Sequence, residues 1–97
     1  MLDLALMKSI GEQMMGSGKV MVRGRSIPVT RTSYQRLKTL RFDMNGRQYQ
    51  AIEQNPDKPS RWGKLAREGH AVVQFRDVAT GKYVAVAVDG EVKEYAR

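Results

Sequence analysis

Apolar positions recur every three to four residues from Leu4 to Met15. Leu6, Ile10 and Met14 lie four apart and Met7 stands three before Ile10, the stripe of an amphipathic helix. Asp3 is placed to cap its start by accepting from exposed N–H groups, and Gly16-Ser17-Gly18 to end it and supply a flexible joint. Beyond the joint the period changes to two. Val20 and Val22 alternate with Lys19, Met21 and Arg23, Gly24 invites a reversal, and a second extended piece runs from Ser26 to Thr30. Pro28 has no N–H to give a ladder, so that piece belongs at an edge, and Arg31 to Arg36 reads as connection.

The strongest local signal is the hairpin from Leu37 to Glu53, because Asn45-Gly46 suits a two-residue type I′ turn in which both residues take positive φ. That turn dictates the register: Met44 faces Arg47, Phe42 faces Tyr49 and Leu40 faces Ala51. Thr39, Arg41, Asp43, Gln48 and Gln50 fall on the opposite, polar face, as in a sheet with one side in water.

Asn55-Pro56-Asp57-Lys58-Pro59 is a turn-rich link. Ser60 then caps a helix of about two turns that Gly69 closes, with Trp62 as its anchor against the sheet. Two more strands, Ala71 to Arg76 and Tyr83 to Val88, and a last one from Glu91 to Tyr95 follow as a meander with turns at Asp77 to Lys82 and Asp89-Gly90. Ala85 and Ala87 alternate with Val84, Val86 and Val88, so either face of this last hairpin is apolar enough to be buried.

These elements predict an α+β fold: an N-terminal helix and a bent antiparallel, small barrel-like sheet of six or seven strands, with one short helix inserted in the middle. Residues 1–17 form the helix and linker and 18–97 a single β-rich domain. The expected core is Val20, Val22, Leu40, Phe42, Tyr49, Ile52, Trp62, Leu65, Val73, Phe75, Val84 and Val86. Most aromatic rings are assigned to it.

Length agrees with one core, since a chain of 97 residues buries roughly 60 to 65% of its unfolded surface. Asp3 stands where a signal peptide needs positive charge, and the apolar run is much shorter than the roughly 20 residues that span a bilayer. Neither export nor a membrane partner is expected, and the absence of cysteine is compatible with a cytoplasmic location.

Charge adds a direction to this picture. The formal charge is +7, and all of the excess lies between Gln13 and Phe42, where Lys19, Arg23, Arg25, Arg31, Arg36, Lys38 and Arg41 meet no acidic residue. Such a segment either solubilises a face or steers anionic partners, RNA and DNA among them. On the second reading the nucleic-acid contacts are Arg23, Arg25, Arg31, Arg36, Lys38 and Arg41, with Tyr34 as a stacking ring and Gln48 and Gln50 as amide donors and acceptors. The alternative is a protein-interaction or homo-oligomeric module that uses the Met-rich N-terminal helix and the sheet edges.

Catalysis has little to draw on. Cysteine nucleophiles and thiolate metal sites are excluded, and Gly16-Ser17-Gly18-Lys19 lacks the spacing of a phosphate loop. One histidine and scattered carboxylates make a poor metal ligand set. His70, with only Glu68 nearby in sequence, reads as a surface or capping residue at a helix end. No catalytic residue, metal or cofactor is expected.

Overall fold

The computed structural model describes residues 2–16 and 19–95, and the expected joint at Ser17 and Gly18 lies outside them. Helix α1 (Leu4–Met14) starts as anticipated, with the Asp3 side chain accepting from the Leu6 N–H at 3.0 Å. Its buried face is Met7, Ile10, Gly11 and Met14, whereas Leu6 is only half-buried. Full burial of Met7, Ile10 and Met14 stabilises the fold by about 1.5–3 kcal/mol each.

Strands β1 (Lys19–Val22) and β2 (Arg25–Pro28) pair antiparallel through a turn in which Arg23 and Gly24 both take positive φ. Val20 and Val22 point inward and Lys19 and Met21 outward. Pro28 sits opposite Lys19 in this two-stranded sheet, an edge position that tolerates its missing donor. The piece expected from Ser26 to Thr30 is broken at Val29. Past that residue β3 (Thr30–Arg31) leaves β1 and joins β4 (Lys38–Met44).

From β3 the chain is a continuous antiparallel meander, β3-β4-β5-β6-β7-β8, with β5 (Arg47–Glu53), β6 (Val72–Asp77), β7 (Tyr83–Val88) and β8 (Glu91–Glu94). The hairpin register is the one that Asn45-Gly46 demands: Met44 pairs with Arg47, Phe42 with Tyr49 and Leu40 with Ala51. Asn45 at φ 53° and Gly46 at φ 77° are the two left-handed residues of its turn. The fold is therefore α+β as predicted, with eight strands in two sheets among the described residues where six or seven were expected.

Register assigns every strand residue to one of two faces. The inner face carries Leu40, Phe42, Met44, Tyr49, Ala51, Val73, Phe75, Ala85 and Ala87, which form one buried cluster with Val20, Val22 and the α1 stripe. The sheet thus wraps around α1. Helix α1 lies against β1 of the two-stranded sheet and against β7 and β8 at the far end of the six-stranded one, filling the seam between the two sheets. The small side chains settle which face of the last hairpin turns inward: a Cβ on Gly11 would stand 3.3 Å from the Ala87 Cβ, so helix and strand touch almost backbone to backbone. Lys38, also on the inner side, donates from Nζ to the Met14 carbonyl at 3.1 Å and ends the helix.

The short helix α2 (Arg61–Arg67) is capped by Ser60, whose Oγ accepts from the Gly63 N–H at 3.2 Å. It closes through Gly69 at φ 95°, with the His70 N–H bonded to the Leu65 carbonyl and the Gly69 N–H to the Ala66 carbonyl. It packs on the outer face of the sheet against β6, not in the main core. For that reason Trp62 and Leu65, expected in the core, are only half-buried, and so are Ile52 on the outer face and Val84 beside the bulge between β6 and β7. Methionine fills core positions outside the expected set: Met7, Met14 and Met44 are completely buried, because an unbranched thioether fills the irregular gap between a helix and a curved sheet.

Candidate nucleic-acid interface

Folding divides the basic segment. Arg23 and Arg25 belong to the β1–β2 turn, and Arg23 Nη1 donates to the Asp43 carbonyl at 3.0 Å, near the Met44 end of β4. Arg31, Tyr34 and Arg36 belong to the loop entering the opposite end of β4, since Arg31 pairs with Lys38. Lys38 and Asp43 are separated by roughly 17 Å of strand. Lys38 itself is spent on the end of α1. Arg41, Gln48 and Gln50 share the outer face, with Arg41 directly opposite Gln50. The nine candidate residues therefore fall into three groups and the half-buried Lys38, and they do not form one continuous cationic stripe.

The outer face gathers other groups in their place. Register aligns Arg41, Gln50, Arg76 and Tyr83 in one row across β4, β5, β6 and β7. At one ladder spacing per strand the row is roughly 14 Å long. The Arg76 guanidinium donates from Nη2 to Gln50 Oε1, and the Gln50 amide donates to Thr39 Oγ1 at 3.0 Å, which explains how Thr39 is buried on a polar face. No carboxylate pairs with Arg41 or Arg76 among the described residues, and the buried Arg76 Nε has no acceptor there.

Three rings lie in this row or beside it. Tyr83 is 49% exposed, opposite Arg76. Tyr95 donates its hydroxyl to Gln74 Oε1 at 2.6 Å, and its ring centroid is 6.4 Å from that of Trp62. Burial pushes the Tyr95 phenol up from its ordinary value of 10.0, with its side-chain hydrogen bonds to Gln74 and Trp62 acting in the opposite sense. Arg61 lies over the Trp62 ring at 4.9 Å. Only Phe42, Tyr49 and Phe75 of the aromatic residues are in the core, fewer than expected, because α2 and the tail of β8 carry their rings to the outside. Tyr34 is 72% exposed but sits on the β3–β4 loop, away from this platform.

Helix α2 lies across the outer face with a cleft on each side. One, of about 320 Å³, is lined by Arg61, Trp62, Leu65, Val88 and Lys93 among others. The other, of about 290 Å³, lies against Arg31, Arg36, Glu53 and Gln54. His70 borders both. Its Nδ1 is 2.7 Å from Asp89 Oδ2, a partner that sequence proximity did not suggest because the pair is 19 residues apart. The other Asp89 oxygen accepts from the Ala71 N–H at 2.9 Å. That backbone bond first, and His70 second, hold the Asp89 carboxyl below its ordinary 3.8. The arrangement fastens the β7–β8 turn to the end of α2.

The β3–β4 loop stores strain. Gln35 at φ 66° and Arg36 at φ 52° are consecutive left-handed residues, each costing about 1–2 kcal/mol for a side chain with a Cβ. Local bonds hold it: Thr32 N–H to the Leu37 carbonyl at 2.9 Å, Leu37 N–H to Thr32 Oγ1 at 3.0 Å, Arg31 Nη1 to the Arg36 carbonyl at 2.9 Å and Gln35 Nε2 to Asp57 Oδ2 at 3.0 Å.

No described helix is long and apolar enough to cross a membrane. No protein-family model matches the chain, and neither a curated protein nor a solved structure matches it.

Proposed function

We infer that this chain is a small non-enzymatic module that binds single-stranded nucleic acid, RNA or DNA, on the outer face of its sheet. The observation that carries the reading is the coincidence on one face of exposed or half-exposed rings, Tyr83, Tyr95 and Trp62, with guanidinium groups that have no carboxylate partner among the described residues, Arg41 and Arg76. Rings give every base a stacking surface irrespective of sequence, and arginines meet the phosphates between them. Gln48 and Gln50 offer amides to base edges. Single strands suit the site better than duplex, because stacking on a protein ring needs an unpaired base.

The oligomeric alternative is less favoured. Met7, Ile10 and Met14, the apolar groups that a partner would have used, are completely buried in the chain's own core. The exposed edge strand β8 reads Glu-Val-Lys-Glu, a charged sequence that discourages strand addition.

The decisive experiment is fluorescence anisotropy of labelled single-stranded RNA, single-stranded DNA and duplex DNA, titrated with protein over a series of salt concentrations. Single strands should bind best, with log K falling linearly in log salt by about 0.7 for each phosphate neutralised. The double variant Arg41→Glu, Arg76→Glu should bind at least tenfold more weakly. Absence of binding to either single strand at low salt rejects the reading, as does binding that the double variant retains in full.

A further inference from the structure

The cleft bordered by Arg31, Arg36 and His70 is separate from the outer-face row and is formed by different elements: the β3–β4 loop, the end of β5 and the end of α2. We propose that this cleft binds a phosphate monoester. Two guanidinium groups line it without a carboxylate paired to either among the described residues. A planar fork of N–H donors matches phosphate oxygens two at a time, which is why arginine is suited to such groups.

The site is built, not incidental. Arg31 is held by its bond to the Arg36 carbonyl, and Arg36 is presented from a left-handed backbone that the surrounding bonds keep in place. Strain held this firmly, at a residue that lines a cleft, is the pattern of a binding loop. His70 adds a third group: Asp89 takes its Nδ1, which fixes the ring and leaves Nε2 as its other polar atom.

Glu53 also lines the cleft, and one of its oxygens accepts the Lys38 N–H at 3.0 Å. Its other oxygen suits a hydroxyl group on the carrier of the phosphate. A volume of about 290 Å³ lies at the small end of ligand pockets, and it accommodates one phosphorylated sugar or a single terminal nucleotide. The phosphate has two possible sources, the 5′ end of a nucleic-acid strand or a free sugar phosphate.

The test is an amide NMR titration of the full chain with inorganic phosphate, then with a 5′-phosphorylated dinucleotide, its 5′-hydroxyl counterpart and ribose 5-phosphate. Saturable shifts at residues 31–37 and at His70 are expected with phosphate. Arg36→Gly deletes the guanidinium while suiting the backbone, so it stays folded, and it should weaken binding at least tenfold. No saturation by phosphate, or equal shifts in Arg36→Gly, overturns the proposal. Preference for the 5′-phosphorylated dinucleotide over both its 5′-hydroxyl form and ribose 5-phosphate supports the site and names a strand end. Binding of ribose 5-phosphate that matches the dinucleotide also supports it and names a free metabolite. The outcome is independent of the outer-face reading, because Arg41→Glu, Arg76→Glu should weaken strand binding at least tenfold and leave the phosphate response unchanged.

Discussion

Gln13 hydrogen-bonds both main-chain polar groups of Met21: its Oε1 accepts from the Met21 N–H at 2.8 Å and its Nε2 donates to the Met21 carbonyl at 3.2 Å. A helix side chain thereby occupies part of the free edge of β1, which would otherwise be open to pairing with another chain. Gln13→Ala should lower stability by about 1 kcal/mol and promote self-association. Urea unfolding and sedimentation velocity measure the two effects. An unchanged midpoint together with an unchanged mass would show that the contact protects nothing.

Gly63 tests the seat of α2. An alanine Cβ there would stand 2.1 Å from the Lys58 carbonyl oxygen, which also accepts from Arg67 Nη1. Gly63→Ala gains about 1 kcal/mol of helix propensity, yet relieving the clash should cost roughly 1–3 kcal/mol or more. The expected result is a net loss of stability with a red-shifted Trp62 fluorescence. A more stable variant would place α2 differently on the sheet.

Arg36→Gly should act in the opposite sense. Glycine accepts the φ of 52° without strain. The greater freedom of the unfolded chain returns part of that gain, so a net increase of about 0.5–1 kcal/mol is expected in denaturant unfolding. A loss of stability would mean that the Arg36 side chain contributes more than its backbone costs.

Acid stability should depend on Asp77 and Asp89. Burial alone would raise the Asp77 carboxyl, but the Arg47 side chain at 2.6 Å and the Ala79 and Thr80 N–H groups hold it below 3.8. For a carboxylate lowered in the folded state, the stabilisation is complete above the unfolded value and is lost as pH falls through the folded one. Unfolding midpoints should therefore stay flat near neutrality and drop below about pH 4. Asp77→Asn should flatten that drop and destabilise the protein at pH 7. Carbon-13 carboxyl titration of His70→Ala should leave Asp89 still lowered, because the Ala71 N–H is the larger cause.

Tyr83→Ala should weaken single-strand binding by about 1–3 kcal/mol, and Tyr83→Phe should retain most of it. Tyr34→Ala should have no effect on outer-face binding, since that ring belongs to a different loop. Anisotropy titrations of the three variants decide the matter, and an equal loss from Tyr34→Ala would relocate the interface.

What could be read beforehand follows from the range of the interactions. The Asn45-Gly46 hairpin was legible to the residue because turn chemistry and a period of two lie within a few positions of each other. Both helix caps, Asp3 and Ser60, were legible for the same reason. The burial of Ala85 and Ala87 was not, because it depends on Gly11, some 75 residues earlier, leaving room for close approach. Nor was the platform. Arg76 and Tyr83 lie outside the basic segment and join Arg41 only through the pairing of four strands. The linear run of positive charge misled because alternation sends Lys38 inward and Arg41 outward, while two reversals carry Arg23 and Arg31 to opposite ends of β4.

The helix in the seam also imposes an order of events. Lys8 Nζ donates to the Gly90 carbonyl at 3.2 Å across 82 residues of chain. The helix, synthesised before the sheet it packs on, therefore has no complete seat until the last hairpin has formed. Closure of such a distant loop precedes the contacts that reward it, which slows folding. In the interval Met7, Ile10 and Met14 are covered only in part, by β1, so a nascent chain paused before β7 carries a partly exposed apolar helix that invites chaperones or aggregation.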